Sequence, residues 1–280
     1  MEEFRGIQEK PFDPTFLLSC ALSNVICAIV FGNRYEYKDK KFLTMLNVMN
    51  DSFAIMSSPW GQVAGYMNGV DDGAFVRSVD VFCSAVSSTS SIAEKVHEEI
   101  DRVIGQTRRP CMADRGQMPY TDAVIHEIQR FISLVPLGVP RAVIKDTPFR
   151  QYVIPKQGTT IYPILTSILH DSKEFPNPKE FDPQHFLHED GTFRNSDFFL
   201  PFSAAIQENL FYFLLCVSLT GRRICIGESL ACMELFLFFT TILQNVKLKS
   251  LIHAKDIDLT PFLSSVGNIP QPYQLCIVPR

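Results

Sequence analysis

Apolar positions along this chain recur in two rhythms, and the change from one to the other sets the first expectation about its fold. From Thr15 to Phe31 the run TFLLSCALSNVICAIVF carries no charge, with Asp13-Pro14 before it and Gly32 after it. Those flanks are helix start and stop signals, so a helix is expected. The run is marginal for a membrane span and Ser19, Ser23 and Asn24 interrupt it, which favours a buried helix. A second, more polar helix is expected over residues 38 to 56, ending before Pro59. Between Val63 and Thr89 the periodicity fades into Gly, Asp and Ser, a loop-rich joint. Helical rhythm returns with Ile92, Val96, Ile100 and Val103, while Glu94, Lys95, Glu98 and Arg102 supply a solvated face. The segment MPYTDAVIHEIQRF continues it as another helix, with Thr121 or Asp122 near its cap.

From residue 139 the rhythm shortens. VPRAVIKDTPFRQYVIPKQGTTIYPI alternates β-branched residues with turn signals, so short strands are expected. EFPNPKEFDPQHF is dense in proline and reads as an irregular loop. ESLACMELFLFFTTILQNV is apolar on nearly every side, the mark of a helix buried in the core. The tail to PYQLCIVPR reads as strands and turns, and no internal repeat is present. The fold class expected is mainly α with small β sheets.

Composition narrows the function classes. A net charge of −4 gives no electrostatic basis for nucleic-acid binding or for a polybasic membrane patch. The 23 phenylalanines favour a deep apolar core. Eight cysteines at 20, 27, 83, 111, 216, 225, 232 and 276 show no paired zinc spacing. With no signal peptide at MEEFRGIQEK, they are expected to be reduced, and most to be small buried hydrophobes.

Cys225 differs from the rest. In GRRICIGESLACMELF it lies just before a helix, near unpaired amides and the positive helix end, which stabilise a thiolate. Gly221 and Gly227 flank it and permit close approach of a flat ligand; Arg223 could hold an anionic group. An axial thiolate on haem iron, with the arginine on a propionate, suits this pattern. A buried structural cysteine suits it as well. Glu127 and Arg130 share a helix face and can pair, and His185 in the proline-rich segment could meet them; each signal alone is weak.

Their order is specific. E-x-x-R at Glu127 and Arg130, the meander FPNPKEFDPQHF, and F-x-x-G-x-R-x-C-x-G at Phe202, Gly221, Arg223, Cys225 and Gly227 (once residues 205 to 220 are set aside) resemble the haem-thiolate monooxygenases of the cytochrome P450 superfamily. PYTDAVIHEIQR, VPRAV, LHDSKEFPNP and MELFLFFTTILQN look like the microsomal drug-metabolising family two, and within it the C subfamily. The resemblance implies haem as cofactor, with Cys225 as its iron ligand and Arg223 and Arg141 on its propionates. It implies a structural triad of Glu127, Arg130 and His185, and a substrate-facing surface at Val135, Leu137, Val139, Ser265 and Val266. Small lipophilic substrates and NADPH–cytochrome P450 reductase are the implied partners, at the cytosolic face of the endoplasmic reticulum membrane.

The chain also departs from the family. The family's amino-terminal third, with its membrane anchor, has no counterpart, so peripheral membrane contact at most, or a cytosolic location, is expected. Residues 63 to 92 form a divergent joint without the oxygen-activating A/G-G-x-D/E-T-T segment, and no catalytic residue is assigned. Gln157 is one extra residue, and 205 to 220 an apolar insert inside the ligand loop that reads as translated intron. Residues 1 to 280 are therefore expected to form a single partial domain of that fold. Two functions stay open: a monooxygenase, or an inactive truncated or mis-spliced product with weak or no haem binding.

Overall fold

The computed structural model describes residues 6–7, 10–57, 90–156, 158–202, 225, 227–251, 263–264, 267–269 and 272–280. Six α-helices are found among them: α1 (Thr15–Phe31), α2 (Lys40–Ser57), α3 (Ser90–Val103), α4 (Pro119–Ile132), the short α5 (Leu165–Leu169) and α6 (Glu228–Asn245). Two 3-10 turns, Met112–Gln117 and Pro183–Phe186, sit between them. The strands form four antiparallel pairs: β1 (Arg141–Ala142) with β4 (Thr160–Ile161), β2 (Thr147–Phe149) with β3 (Tyr152–Ile154), β5 (Val246–Ser250) with β8 (Leu275–Pro279), and β6 (Leu263–Ser264) with β7 (Asn268–Ile269). This is the mainly helical chain with small sheets that the apolar rhythm predicts.

The local signals account for the helix ends. Asp13 accepts from the Thr15 amide and Gly32 closes α1 with φ 69°, a left-handed conformation that costs glycine little. Asp39 accepts from the Lys41 and Phe42 amides at the start of α2. α4 begins earlier than its sequence suggests, at Pro119 rather than around Thr121 or Asp122. Its cap comes from elsewhere: the Glu99 carboxylate of α3 accepts from the Tyr120 and Thr121 amides at 3.2 and 2.7 Å. A carboxylate at the positive end of a helix stabilises it through both hydrogen bonds and charge, and a cap borrowed across the fold leaves no local mark in sequence.

The main core is built where α3, α4 and α6 meet the β5–β8 ribbon. Val96, Ile100, Val124, Ile128, Phe236, Phe239, Leu243, Leu275 and Ile277 form its buried centre. Removing that apolar surface from water is the dominant stabilising term. α1 is buried on one side only: Leu18, Cys20, Leu22 and Cys27 are enclosed, while Ile29, Val30 and Phe31 are more than half exposed. The expectation of a buried helix therefore holds for one part of α1 and not for its carboxyl end. Asn24, which interrupts the apolar run, accepts from the Tyr35 amide at 2.7 Å and donates to its carbonyl at 3.0 Å, locking the turn into α2. No helix among the described residues is long and apolar enough to cross a membrane. Cys20, Cys111, Cys225 and Cys232 are free thiols. Only Cys20 and Cys27 are fully buried, so the expectation that most would be buried fails at Cys111, which is exposed; Cys83 and Cys216 lie outside the described residues.

One core residue makes stability depend on pH. His97 of α3 is buried, and its Nε2 has no hydrogen-bond partner. Burial, aided by the charges of Arg280 and Lys247, pulls its pKa down to about 4, against Asp101 and a bond to the Val246 backbone. The unfolded chain therefore binds more protons than the folded one between pH about 6.5 and about 4, and stability falls as pH drops through that window. The loss is at most about 3 kcal/mol. In denaturant titrations the wild-type midpoint should drop across this window more steeply than that of His97→Gln; parallel curves count against the assignment.

Candidate functional site

α4 projects Glu127 and Arg130 from one face, a turn apart, and both are fully buried. Arg130 Nε and Nη2 donate to Glu127 Oε2 and Oε1, each at 2.7 Å, a bidentate pair. Arg130 Nη1 donates to the Leu169 and Pro178 carbonyls at 3.0 and 2.9 Å, and Nη2 also to the Glu180 carbonyl at 3.3 Å. All five guanidinium protons are thus used. The Phe175 ring lies 5.3 Å from the guanidinium carbon.

His185 completes the network. Its Nδ1 lies 3.2 Å from Glu127 Oε2 and its Nε2 2.6 Å from the Pro176 carbonyl. Two acceptors, one at each ring nitrogen, suit the doubly protonated ring. Burial opposes that charge, but the bond to Glu127, its carboxylate charge and the Pro176 carbonyl more than offset it, so the pKa is raised. This contribution to stability is present at low pH and is lost as pH rises through the raised pKa, opposite in sign to that of His97. The Asp182 amide also donates to Glu127, at 2.9 Å. Arg194 ties the next stretch in, donating to the His185 carbonyl at 2.8 Å and pairing with Glu174. The triad predicted from sequence is therefore assembled, and it nails an irregular, proline-rich segment to α4.

Next to Glu127 on α4, His126 begins the approach to the predicted ligand loop, in an aromatic cluster that also touches the triad. The His126 ring packs between Phe193 and Phe199, with centroids 4.6 Å from each, and Phe199 leads directly to the half-buried Phe202. On the far side of the loop, Cys225 is half-buried and its carbonyl accepts from the Glu228 amide at 3.3 Å, at the start of α6. A Cβ at Gly227 would stand 3.9 Å from the Cys225 sulfur, ordinary contact, so crowding against the thiol does not demand glycine there. Arg115 Nε donates to Asp122 Oδ1 at 2.9 Å beneath the first turns of α6. The Cys232 thiol there has a pKa raised by burial despite the nearby Arg115.

Arg141 is half-buried in β1, opposite Ile161. Val135 is half-buried, whereas Leu137 and Val139 stand 37% and 66% exposed on the turn that follows α4. Gly138 has φ 59°, and a Cβ there would come within 2.8 Å of both Pro163 Cγ and the Pro163 carbonyl oxygen. Only glycine fits that close approach. Gly221, Arg223, Ser265, Val266, Gln157 and the insert at 205 to 220 lie outside the described residues, as do 63 to 89 of the joint.

Two contributors escape the sequence reading. Asn268 donates from Nδ2 to the Ile132 and Ser133 carbonyls, each at 2.9 Å, and from its amide to the Leu134 carbonyl at 2.9 Å. Glu99, to which the sequence reading assigns no role, is buried in α3 and caps α4. A polar residue followed by a helix-starting proline in the next element is a weak signal for Glu99; nothing local marks Asn268.

With this geometry in hand, comparison with known proteins is informative. The family model described as Cytochrome P450 matches residues 1–73 and 86–277. Cytochrome P450 2C29 of Mus musculus is 42% identical over 354 positions, covering all of this chain and 69% of the relative. Cytochrome P450 2C26 of Mesocricetus auratus is also 42% identical, at the same coverage. Cytochrome P450 2C11 of Rattus norvegicus is 42% identical over 354 positions, covering all of this chain and 67% of the relative. These alignments are longer than the 280-residue chain, so the relatives carry internal residues with no counterpart here. The chain belongs to the cytochrome P450 family of haem monooxygenases.

Proposed function

We propose that this chain binds haem through Cys225 and oxidises small lipophilic molecules with electrons from NADPH–cytochrome P450 reductase, at the cytosolic face of the endoplasmic reticulum. The observation that supports the reading most is a free, half-buried thiol at the positive end of α6, a helix packed on the α4 that carries the buried triad. The donor set fits the group: Cys225 offers a free, half-buried sulfur just ahead of α6, and Arg223 and Arg141 supply cations for two propionates. Bound haem supplies the oxidising chemistry, which a thiolate ligand promotes.

The chain's own residues do the rest. Phe202, placed by the His126–Phe199 packing, and Gly221 and Gly227 frame the loop. Val135, Leu137 and Val139, with Ser265 and Val266, form the apolar side that excludes water and accepts a lipophilic ligand. Glu127, Arg130 and His185 keep the meander rigid behind the loop. Residues 1 to 280 act in this reading as one partial domain, interrupted by the joint at 63 to 92 and the insert at 205 to 220.

A second reading, an inactive product with weak haem binding, draws support from the internal residues that the relatives have and this chain lacks. The ferrous–carbon monoxide difference spectrum decides between them. The chain expressed with haem supply should show a red-shifted Soret band, stronger still when residues 205 to 220 are deleted. No such band in either form favours the inactive product.

A further inference from the structure

We propose that Asn268 is a positioning residue that clamps the β6–β7 hairpin to the exit of α4 and so fixes the shape of the Val135–Val139 apolar segment. The inference rests on the reading of that segment as substrate-facing and adds to it the residue that sets its place. The last carbonyls of a helix have no partner within the helix and must find one outside. At the end of α4, Ser133 turns left-handed with φ 44°, and its amide returns to the Gln129 carbonyl at 3.3 Å. The Ile132, Ser133 and Leu134 carbonyls then point away from the helix, and Asn268 satisfies all three.

Each of these partners is an acceptor, so the side-chain orientation is fixed: both amide protons are spent on Ile132 and Ser133. Serine offers one proton and aspartate none, which makes asparagine the smallest side chain that fits the task. The clamp is coupled to the segment beyond it. Ser133 Oγ lies 2.7 Å from Thr166 Oγ1, the Thr166 amide donates to the Pro136 carbonyl at 3.1 Å, and the Gly138 amide donates to the Val135 carbonyl at 3.1 Å. Asn268 therefore holds one side of a short relay whose other end is the Pro136–Gly138 turn. β7 carries it there because Asn268 pairs with Ser264 across the hairpin.

Hydrogen exchange on the full chain tests the clamp without any bound group. In Asn268→Ala the Gly138 and Thr166 amides should exchange about ten- to a hundredfold faster, the loss of two half-buried hydrogen bonds. Asn268→Asp, isosteric but with its carboxylate set against two carbonyls, should exceed that, and Asn268→Ser should fall below it. The Thr121 and Asp182 amides, held by Glu99 and Glu127, should keep their protection. Unchanged Gly138 and Thr166, or uniform acceleration everywhere, overturns the proposal. In the haem-loaded chain, binding of 1-alkylimidazoles from butyl to octyl should lose its dependence on chain length in Asn268→Ala at unchanged haem content. An unaltered length dependence removes the shaping role. If the chain takes up no haem, the reading of the site fails while the exchange measurement still decides the clamp.

Discussion

Glu127→Ala is expected to destabilise the chain by about 3–5 kcal/mol, the usual cost of stripping one partner from a fully buried ion pair. That is a large part of the stability of an ordinary domain, about 5–15 kcal/mol. The arithmetic is severe because Arg130 and His185 both face this carboxylate, so its removal leaves the buried Arg130 cation, the His185 ring and the Asp182 amide without their acceptor. Buried ion pairs in some proteins can be exchanged for apolar residues with no loss, since the pair only repays its own desolvation. This pair differs. Arg130 also serves the carbonyls of Leu169, Pro178 and Glu180, which stay buried or half-buried whatever replaces the pair. Glu127→Leu with Arg130→Met should therefore recover little of the loss. Denaturant unfolding followed by circular dichroism measures both; a double variant near wild-type stability would show the network to be an ordinary ion pair with no structural clamp.

How much of this was legible in sequence depended on distance along the chain. Helices α1, α2, α3 and α6 carry their own start signals, stops and apolar faces, so their existence follows from local physics. The Glu127–Arg130 pair is legible for the same reason, being one helical turn apart. His185 is 58 positions from Glu127, and only its place in an ordered set of motifs points to it. The helix α4 starts before Thr121 because Glu99 reaches in from α3, and Asn268 caps its far end from a hairpin more than a hundred residues away. Both caps are tertiary, and neither Glu nor Asn has a periodicity to betray it. The same holds for the exposed end of α1: Ile29, Val30 and Phe31 continue an apolar run indistinguishable from Leu18 and Leu22, and only packing separates the two groups.

Cys225→Ser is expected to abolish the red-shifted ferrous–carbon monoxide band altogether while leaving the fold intact. Serine keeps the shape of the side chain and the backbone bond from the Glu228 amide to the residue 225 carbonyl, but its hydroxyl ionises far above neutral pH and is a poor ligand for iron. The comparison that gives the result meaning is Cys232→Ser, at the start of the second turn of α6. Burial pushes the Cys232 thiol pKa up, so it stays protonated and uncharged, the inert state of a structural cysteine. Its replacement should leave the band in place. Both thiols are half-buried and they differ in position: Cys225 stands ahead of the first turn of α6, where amides lack intrahelical partners, and Cys232 stands within the ladder. A band that survives Cys225→Ser, or one that disappears equally in Cys232→Ser, would mean that the helix end does not select the ligand. With the band lost in the first variant alone, Cys225, ahead of the first turn of α6, is the ligand and Cys232 is not.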